Sequence, residues 1–151
     1  MDAIVRTAKV RDLEGILVLY RELRPRDPEL APEAARDLFA NLVERNDVHV
    51  LVCDAGGVLV ATCMLAVIPN LASGGRPFGI IEHVVTLSIH RGRGYARLVL
   101  EHALALAWSR HCYKVMLLSG MQRTGAHKLY ESVGFVGNVE RGFVAKPKNA
   151  V

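Results

Sequence analysis

The chain has 151 residues, 51% of them hydrophobic and 23% charged, with a formal net charge of +4. That length and balance predict one globular domain, residues 1–151, with a single sizeable core, and exclude a disordered chain. The cationic surplus is scattered without blocks of like charge, which suits an anionic cofactor; no motif or aromatic interleaving speaks for nucleic acid.

Cys53, Cys63 and Cys112 show no metal-like spacing, so they read as reduced, buried thiols and point to a cytoplasmic protein. The opening MDAIVRTAKVRD is charged early and has no apolar centre, so no signal peptide is expected. No run reaches the roughly 18 apolar residues of a membrane span, and no membrane partner is expected.

Residues 4–8 read as a first strand. Asp12 reads as the N-cap of a helix to about Leu23, with Leu13, Ile16, Leu17, Tyr20 and Leu23 at helical spacing. Pro25 and Pro28 stop it, and Pro32 opens a second helix through Val43. Residues 48–53 and 58–67 form an antiparallel hairpin around Asp54-Ala55-Gly56-Gly57. The glycine- and proline-rich stretch 69–79 is a long loop, a candidate lid or substrate-facing wall. A β-branched strand over 80–85 follows, then Arg91-Gly92-Arg93-Gly94, then a long helix from Tyr95 with Leu100, Ala103, Leu104, Ala107 and Trp108 inward. Residues 114–119 add a parallel strand, and a helix over 124–133 ends at Gly134 as its C′ glycine. Strands at 135–139 and 142–145 close the sheet, and the tail from 146 frays. The fold class is α/β: a mixed, mainly antiparallel sheet with helices on both faces.

The order strand, glycine turn, helix builds a phosphate site from backbone alone. Glycine lets the main chain approach a ligand, and the first helical turn offers unpaired N–H groups at the positive end of its dipole. Arg91, Arg93 and Arg97 add charge-assisted donors to the same corner. A P-loop would require a Lys-Ser or Lys-Thr that is missing. A Rossmann turn would require glycine where Arg97 stands and a carboxylate ending the next strand.

What does match is Arg-x-x-Gly-x-Ala at 91–96. It resembles the pyrophosphate pattern of the GCN5-related N-acetyltransferases. A second match, Ala126-His127-Lys128-Leu129-Tyr130-Glu131-Ser132-Val133-Gly134-Phe135, resembles the A-x-x-L-Y-x-x-x-G-F signature of the same family. A third is broader: Ile81-Glu82-His83-Val84-Val85 and His111-Cys112-Tyr113-Lys114-Val115 are similar to the glucosamine-6-phosphate N-acetyltransferase branch, which has an active-site aspartate where this chain has His83.

The resemblance implies the GNAT fold and acetyl-CoA as acetyl donor. The pantetheine arm would run along Val84, Val85 and Thr86, and the pyrophosphate would rest on Arg91, Gly92, Arg93, Gly94, Tyr95 and Ala96. The primary amine of a small molecule, an amino sugar among the candidates, would attack the thioester directly, with Tyr130 as general acid for the thiolate. It also implies a homodimer. Arg123 stands where many members carry an asparagine that contacts the cofactor.

A phenol is a neutral donor at pH 7 and can protonate or hydrogen-bond a developing thiolate. Read on its own, Tyr130 could equally be the amphipathic edge of a packed helix. The attacking amine must lose a proton, and Glu82 or His83, placed on opposite faces of the strand by alternation, could take it directly or through water. A carboxylate buried in a strand is costly unless paired or functional, so the plainer reading of Glu82, and still more of His83, is a satisfied buried ion pair or an edge-facing polar side chain. Both residues are also candidate substrate contacts. There is no H-E-x-x-H, Cys-x-x-Cys or G-x-S-x-G, so neither a metal nor hydrolase chemistry is expected. A binding module that senses acyl-CoA or scaffolds a partner without turnover is the competing function.

Overall fold

A computed structural model describes residues 2–149. The chain divides into two compact units, one running through Leu117 and one beginning at Leu118. The expected fraying of the tail falls partly on residues 150 and 151, outside the described residues.

The first unit holds a five-stranded sheet in the order β1 (Ala3–Thr7), β2 (Val48–Ala55), β3 (Val58–Ile68), β4 (Phe78–Thr86) and β5 (Val115–Leu117). Every pair is antiparallel except β4–β5. The hairpin between β2 and β3 turns on Gly56 and Gly57, with φ of 66° and 89°. A two-residue turn whose twist matches its strands needs positive φ at both positions, which glycine supplies without strain. The Asp54 carboxylate accepts the Gly57 N–H at 2.8 Å and closes the turn.

Helices α1 (Leu13–Leu23) and α2 (Pro32–Val43) cover one face, where Ile16 and Phe39 join Val50 and Val52 in one buried cluster. Alternation sends Leu51 and Cys53, equally buried, to the other face. There α4 (Tyr95–Ser109), which packs along β1 to β4, buries Val99, Leu100, Ala103 and Ala107. The mixed sheet with helices on both faces is therefore as expected. Trp108 is not core: at 100° per residue it lies about 140° around the helix from Ala103, and it is 50% exposed.

Asp12 precedes α1 as expected, but its side chain does not cap the helix. It accepts the Lys9 N–H at 2.7 Å and is held by both Arg6 Nη atoms, at 2.7 and 3.0 Å. Arg6 also reaches Asp54 at 3.1 Å, so one guanidinium ties β1, the approach to α1 and the β2–β3 hairpin together. These partners hold the Asp12 carboxyl below the usual carboxylate range, the Arg6 hydrogen bonds outweighing desolvation.

The stretch before β4 is a self-closed loop. It contains a single turn, α3 (Ala72–Gly75), in which Ser73 and Gly74 adopt left-handed φ of 55° and 70°. The Asn70 amide accepts from Ala72 N–H and donates to the carbonyls of Ala72 and Arg76. Arg76 donates to the His111 and Cys112 carbonyls, each at 3.2 Å, just beyond the C-terminal end of α4.

The second unit contains α5 (Thr124–Ser132) and, among its described residues, no strand. The strands expected at 135–139 and 142–145 do not form, and Val136, Val139, Phe143 and Val144 are exposed. Short β-prone runs become strands only when a neighbour takes up their N–H and C=O groups, and this unit supplies none. The parallel strand expected over 114–119 is shortened to Val115–Leu117.

Candidate active site

The site is built on β4. Its register against β3 runs Thr62↔Val85 and then Met64↔Glu82, so His83 and Val84 together face the single residue Cys63. This is a β-bulge, and His83 holds φ at 57° within it. Histidine is among the few side chains that tolerate left-handed backbone. The bulge breaks the strict alternation expected for Glu82 and His83. Glu82 is exposed, so the cost of burying a carboxylate gives no argument for its role, and it has no ion-pair partner among the described residues. His83 is half-buried under α1, its ring 5.2 Å from that of Tyr20 at 55°. Burial pushes the Tyr20 phenol up to about 12, which keeps it neutral.

Past the bulge β4 has one open edge. β5 pairs only with Gly79, Ile80 and Ile81, while β3 continues along the other side to Thr86. From Glu82 to Thr86, therefore, no strand among the described residues pairs with that edge. Val85 is buried, Val84 and Thr86 are half-buried, and the Thr86 hydroxyl oxygen is buried without a hydrogen-bond partner.

The open edge leads into the turn. A 3-10 turn at Ser88–His90 precedes Arg91, and Gly92 and Gly94 hold φ of 75° and 81°. A Cβ built on either glycine would meet nothing within 4 Å, so open space faces the backbone. Gly94 is the N-cap of α4 and provides no side-chain cap, which leaves the first-turn N–H groups for solvent or a ligand. Tyr95 opens the helix with the His90 ring edge-on at 6.2 Å, and Ala96 follows, half-buried.

Two of the three arginines have carboxylate partners. Arg97 Nε lies 2.7 Å from Glu101, the i,i+4 partner that helical spacing offers it. Arg91 donates from Nε to the Thr86 carbonyl at 3.3 Å, and its Nη2 lies 3.5 Å from Glu22 on α1. Arg93 alone of the three has no partner among the described residues and points its charge to solvent. Glu22 carried no signal in the sequence: it sits 66 positions from the turn, on a polar helix position like many others.

An open strand edge, two glycines facing empty space and an uncapped helix N-terminus fit a ligand whose extended arm leads into a pyrophosphate. Acetyl-CoA has that form, and residues 84–86 and 91–96 would hold it.

Tyr130 belongs to the second unit, in α5, and is 7% exposed. Gly134 takes φ of 106° and donates its N–H to the Glu131 carbonyl at 3.1 Å, while Phe135 N–H donates to the Tyr130 carbonyl at 3.1 Å. The Phe135 ring meets the Tyr130 ring edge-on at 6.1 Å. These are the two crossed hydrogen bonds and the apolar contact of a Schellman helix stop. Arg123 is the N-cap residue of α5, with no side-chain cap bond.

The cysteines are all buried and free, and burial pushes the Cys63 thiol up to about 12. Among the described residues no three His, Cys, Asp or Glu side chains gather as a metal site.

Comparison with known proteins bears on the same region. The profile of the acetyltransferase (GNAT) family matches residues 16–135. Glucosamine 6-phosphate N-acetyltransferase 1 of Oryza sativa subsp. japonica is 33% identical over 144 residues, which cover 91% of this chain and 84% of that one. An Agrobacterium tumefaciens str. C58 protein, provisionally assigned as an acetyltransferase, has a solved structure that superposes with a TM-score of 0.90. It is 43% identical, over 95% of this chain and 99% of its own. Aminoglycoside N-acetyltransferase AAC(6')-Iy, solved in complex with CoA, superposes with a TM-score of 0.81 over 97% of this chain and 95% of its own. At 17% identity that is a likeness of fold.

Proposed function

The chain belongs to the acetyltransferase (GNAT) family, and from that premise we propose that it moves the acetyl group of acetyl-CoA onto the primary amine of a small molecule. The acceptor we put first is an amino sugar, the class named for the rice relative. The observation that carries the reading is the open edge of β4 running into the Gly92–Gly94 turn.

In this reading Val84, Val85 and Thr86 pair with the pantetheine arm as they would with another strand. Arg91, Gly92, Arg93, Gly94, Tyr95 and Ala96 take the pyrophosphate on backbone N–H groups and the Arg93 charge. Glu82 takes the proton of the attacking amine, directly or through water; its exposure leaves it reachable. His83 lines the acceptor side. The Tyr130 phenol donates its proton to the departing thiolate. As a homodimer, the protein would cover the apolar side chains of Val136, Val139, Phe143 and Val144, exposed on the single chain.

One observation favours a second reading. The Schellman stop accounts for Tyr130, Gly134 and Phe135 by folding alone, so an acyl-CoA-binding module without turnover would also retain them. A panel of primary amines read by free-thiol release separates the two: thiol release above the amine-free rate means transfer.

Thermal-shift titration tests the cofactor site. Acetyl-CoA should raise the melting temperature by a few degrees, and Gly94→Glu, which puts a carboxylate where the phosphates lie, should abolish the rise. No shift at saturating acetyl-CoA would sink the reading.

A further inference from the structure

Glu22 has no place in the family motifs, yet its side chain reaches the turn from α1. Its Oε2 accepts the Ser88 backbone N–H at 2.9 Å, and its Oε1 accepts the Ser88 hydroxyl at 3.0 Å. The same carboxylate lies 3.5 Å from Arg91 Nη2. Ser88 opens the 3-10 turn, in which His90 N–H donates to the Leu87 carbonyl and Arg91 N–H to the Ser88 carbonyl. The first N–H of such a turn has no partner within it, and here a half-buried carboxylate supplies the acceptor.

Of these contacts the ion pair is the weaker. Arg91 is 62% exposed, and exposed pairs of that kind contribute little. The two hydrogen bonds to Ser88 are charge-assisted, and they fix both the main chain and the side chain of one residue. That residue stands directly ahead of Arg91 and Gly92, so whatever orders it orders the entrance to the phosphate turn. A loop that is already ordered loses less freedom when a ligand binds, and the ligand binds more tightly for it.

We propose that Glu22 is a positioning residue for the acetyl-CoA site: by holding Ser88, it pre-orders the turn from α1. The proposal rests on the cofactor reading of residues 91–96. The helix that carries it also sets Tyr20 against His83, so α1 braces β4 at the bulge and beyond its end.

The test is calorimetric titration of the full chain with coenzyme A, beside steady-state kinetics with acetyl-CoA. Glu22→Ala should weaken coenzyme A binding and raise the KM for acetyl-CoA roughly tenfold, with kcat at saturation within about twofold. Glu22→Gln keeps an oxygen acceptor for the Ser88 N–H without the carboxylate charge that faces Arg91 and assists that bond, and it should recover part of the affinity. Glu22→Ala with wild-type affinity would overturn the proposal, as would a loss confined to kcat. If Glu22→Gln were as weak as Glu22→Ala, the carboxylate's charge toward Arg91 and not its hold on Ser88 would matter, and the proposal would fall. Wild-type protein that bound no coenzyme A would remove the cofactor reading and this inference together; wild-type binding with an unaffected Glu22→Ala removes this inference alone.

Discussion

Phe135 touches Tyr130 twice, once through its N–H to the Tyr130 carbonyl and once edge-on through its ring. The signature Tyr-x-x-x-Gly-Phe thus carries a backbone instruction as well as a candidate acid. The two can be separated because they use different atoms: the stop uses the ring and main chain of Tyr130, while proton donation uses only its hydroxyl. Tyr130→Phe should leave acetyl-CoA affinity nearly unchanged, while turnover falls roughly 10²–10⁴-fold. Turnover within threefold of wild type would remove Tyr130 from the acid role.

Gly134→Ala addresses the other half. An alanine forced to φ near 106° should cost about 1–2 kcal/mol, seen as a melting temperature lower by a few degrees. An unchanged denaturation midpoint would mean the stop contributes nothing to stability.

Glu82 is exposed in β4, so Glu82→Gln should change stability by no more than about 0.5 kcal/mol. As the base, it should matter most at low pH, where free amine is scarcest, and raising the pH should restore part of the rate. A loss equal at every pH in a pH–rate profile would leave the proton to His83 or a water chain.

The Arg6–Asp12 pair sets a pH dependence of stability. The folded Asp12 carboxyl titrates below its unfolded value of about 3.9, so its contribution is complete above that pH and is lost as pH falls through the folded value. Asp12→Asn should therefore cost about 1.5–3 kcal/mol in urea unfolding at pH 7, and the gap to wild type should narrow as the pH drops below 4. A gap constant from pH 7 to pH 3 would contradict the assignment.

Sedimentation at tens of micromolar should give the mass of two chains, and Phe143→Asp, which puts a charge on a side chain 86% exposed in the single chain, should return one. A single-chain mass for the wild type would end the dimer proposal.

The parts legible in the sequence were those encoded over a few neighbouring residues. Pro32 at a helix start, Gly56-Gly57 in a hairpin and Gly94 before α4 each state a local backbone preference, and each stands where the pattern put it. What the pattern missed depends on distant partners. The strands at 135–139 and 142–145 have β-prone residues but no neighbour to bond. Arg97 pairs with Glu101, which one helical turn brings beside it. The bulge at His83 is a mismatch of one residue between two strands, and neither strand alone records it.

That bulge also limits which side chains position 83 can carry. With φ near 57°, position 83 admits glycine, asparagine, aspartate and histidine readily, whereas valine or isoleucine would cost on the order of 1–2 kcal/mol each. The branch that this chain resembles uses aspartate there, and this chain uses histidine; both belong to that short alphabet. One substitution can thus exchange a carboxylate for an imidazole at this position while the bulge is kept. An apolar wall at the same place would first require the bulge itself to be removed.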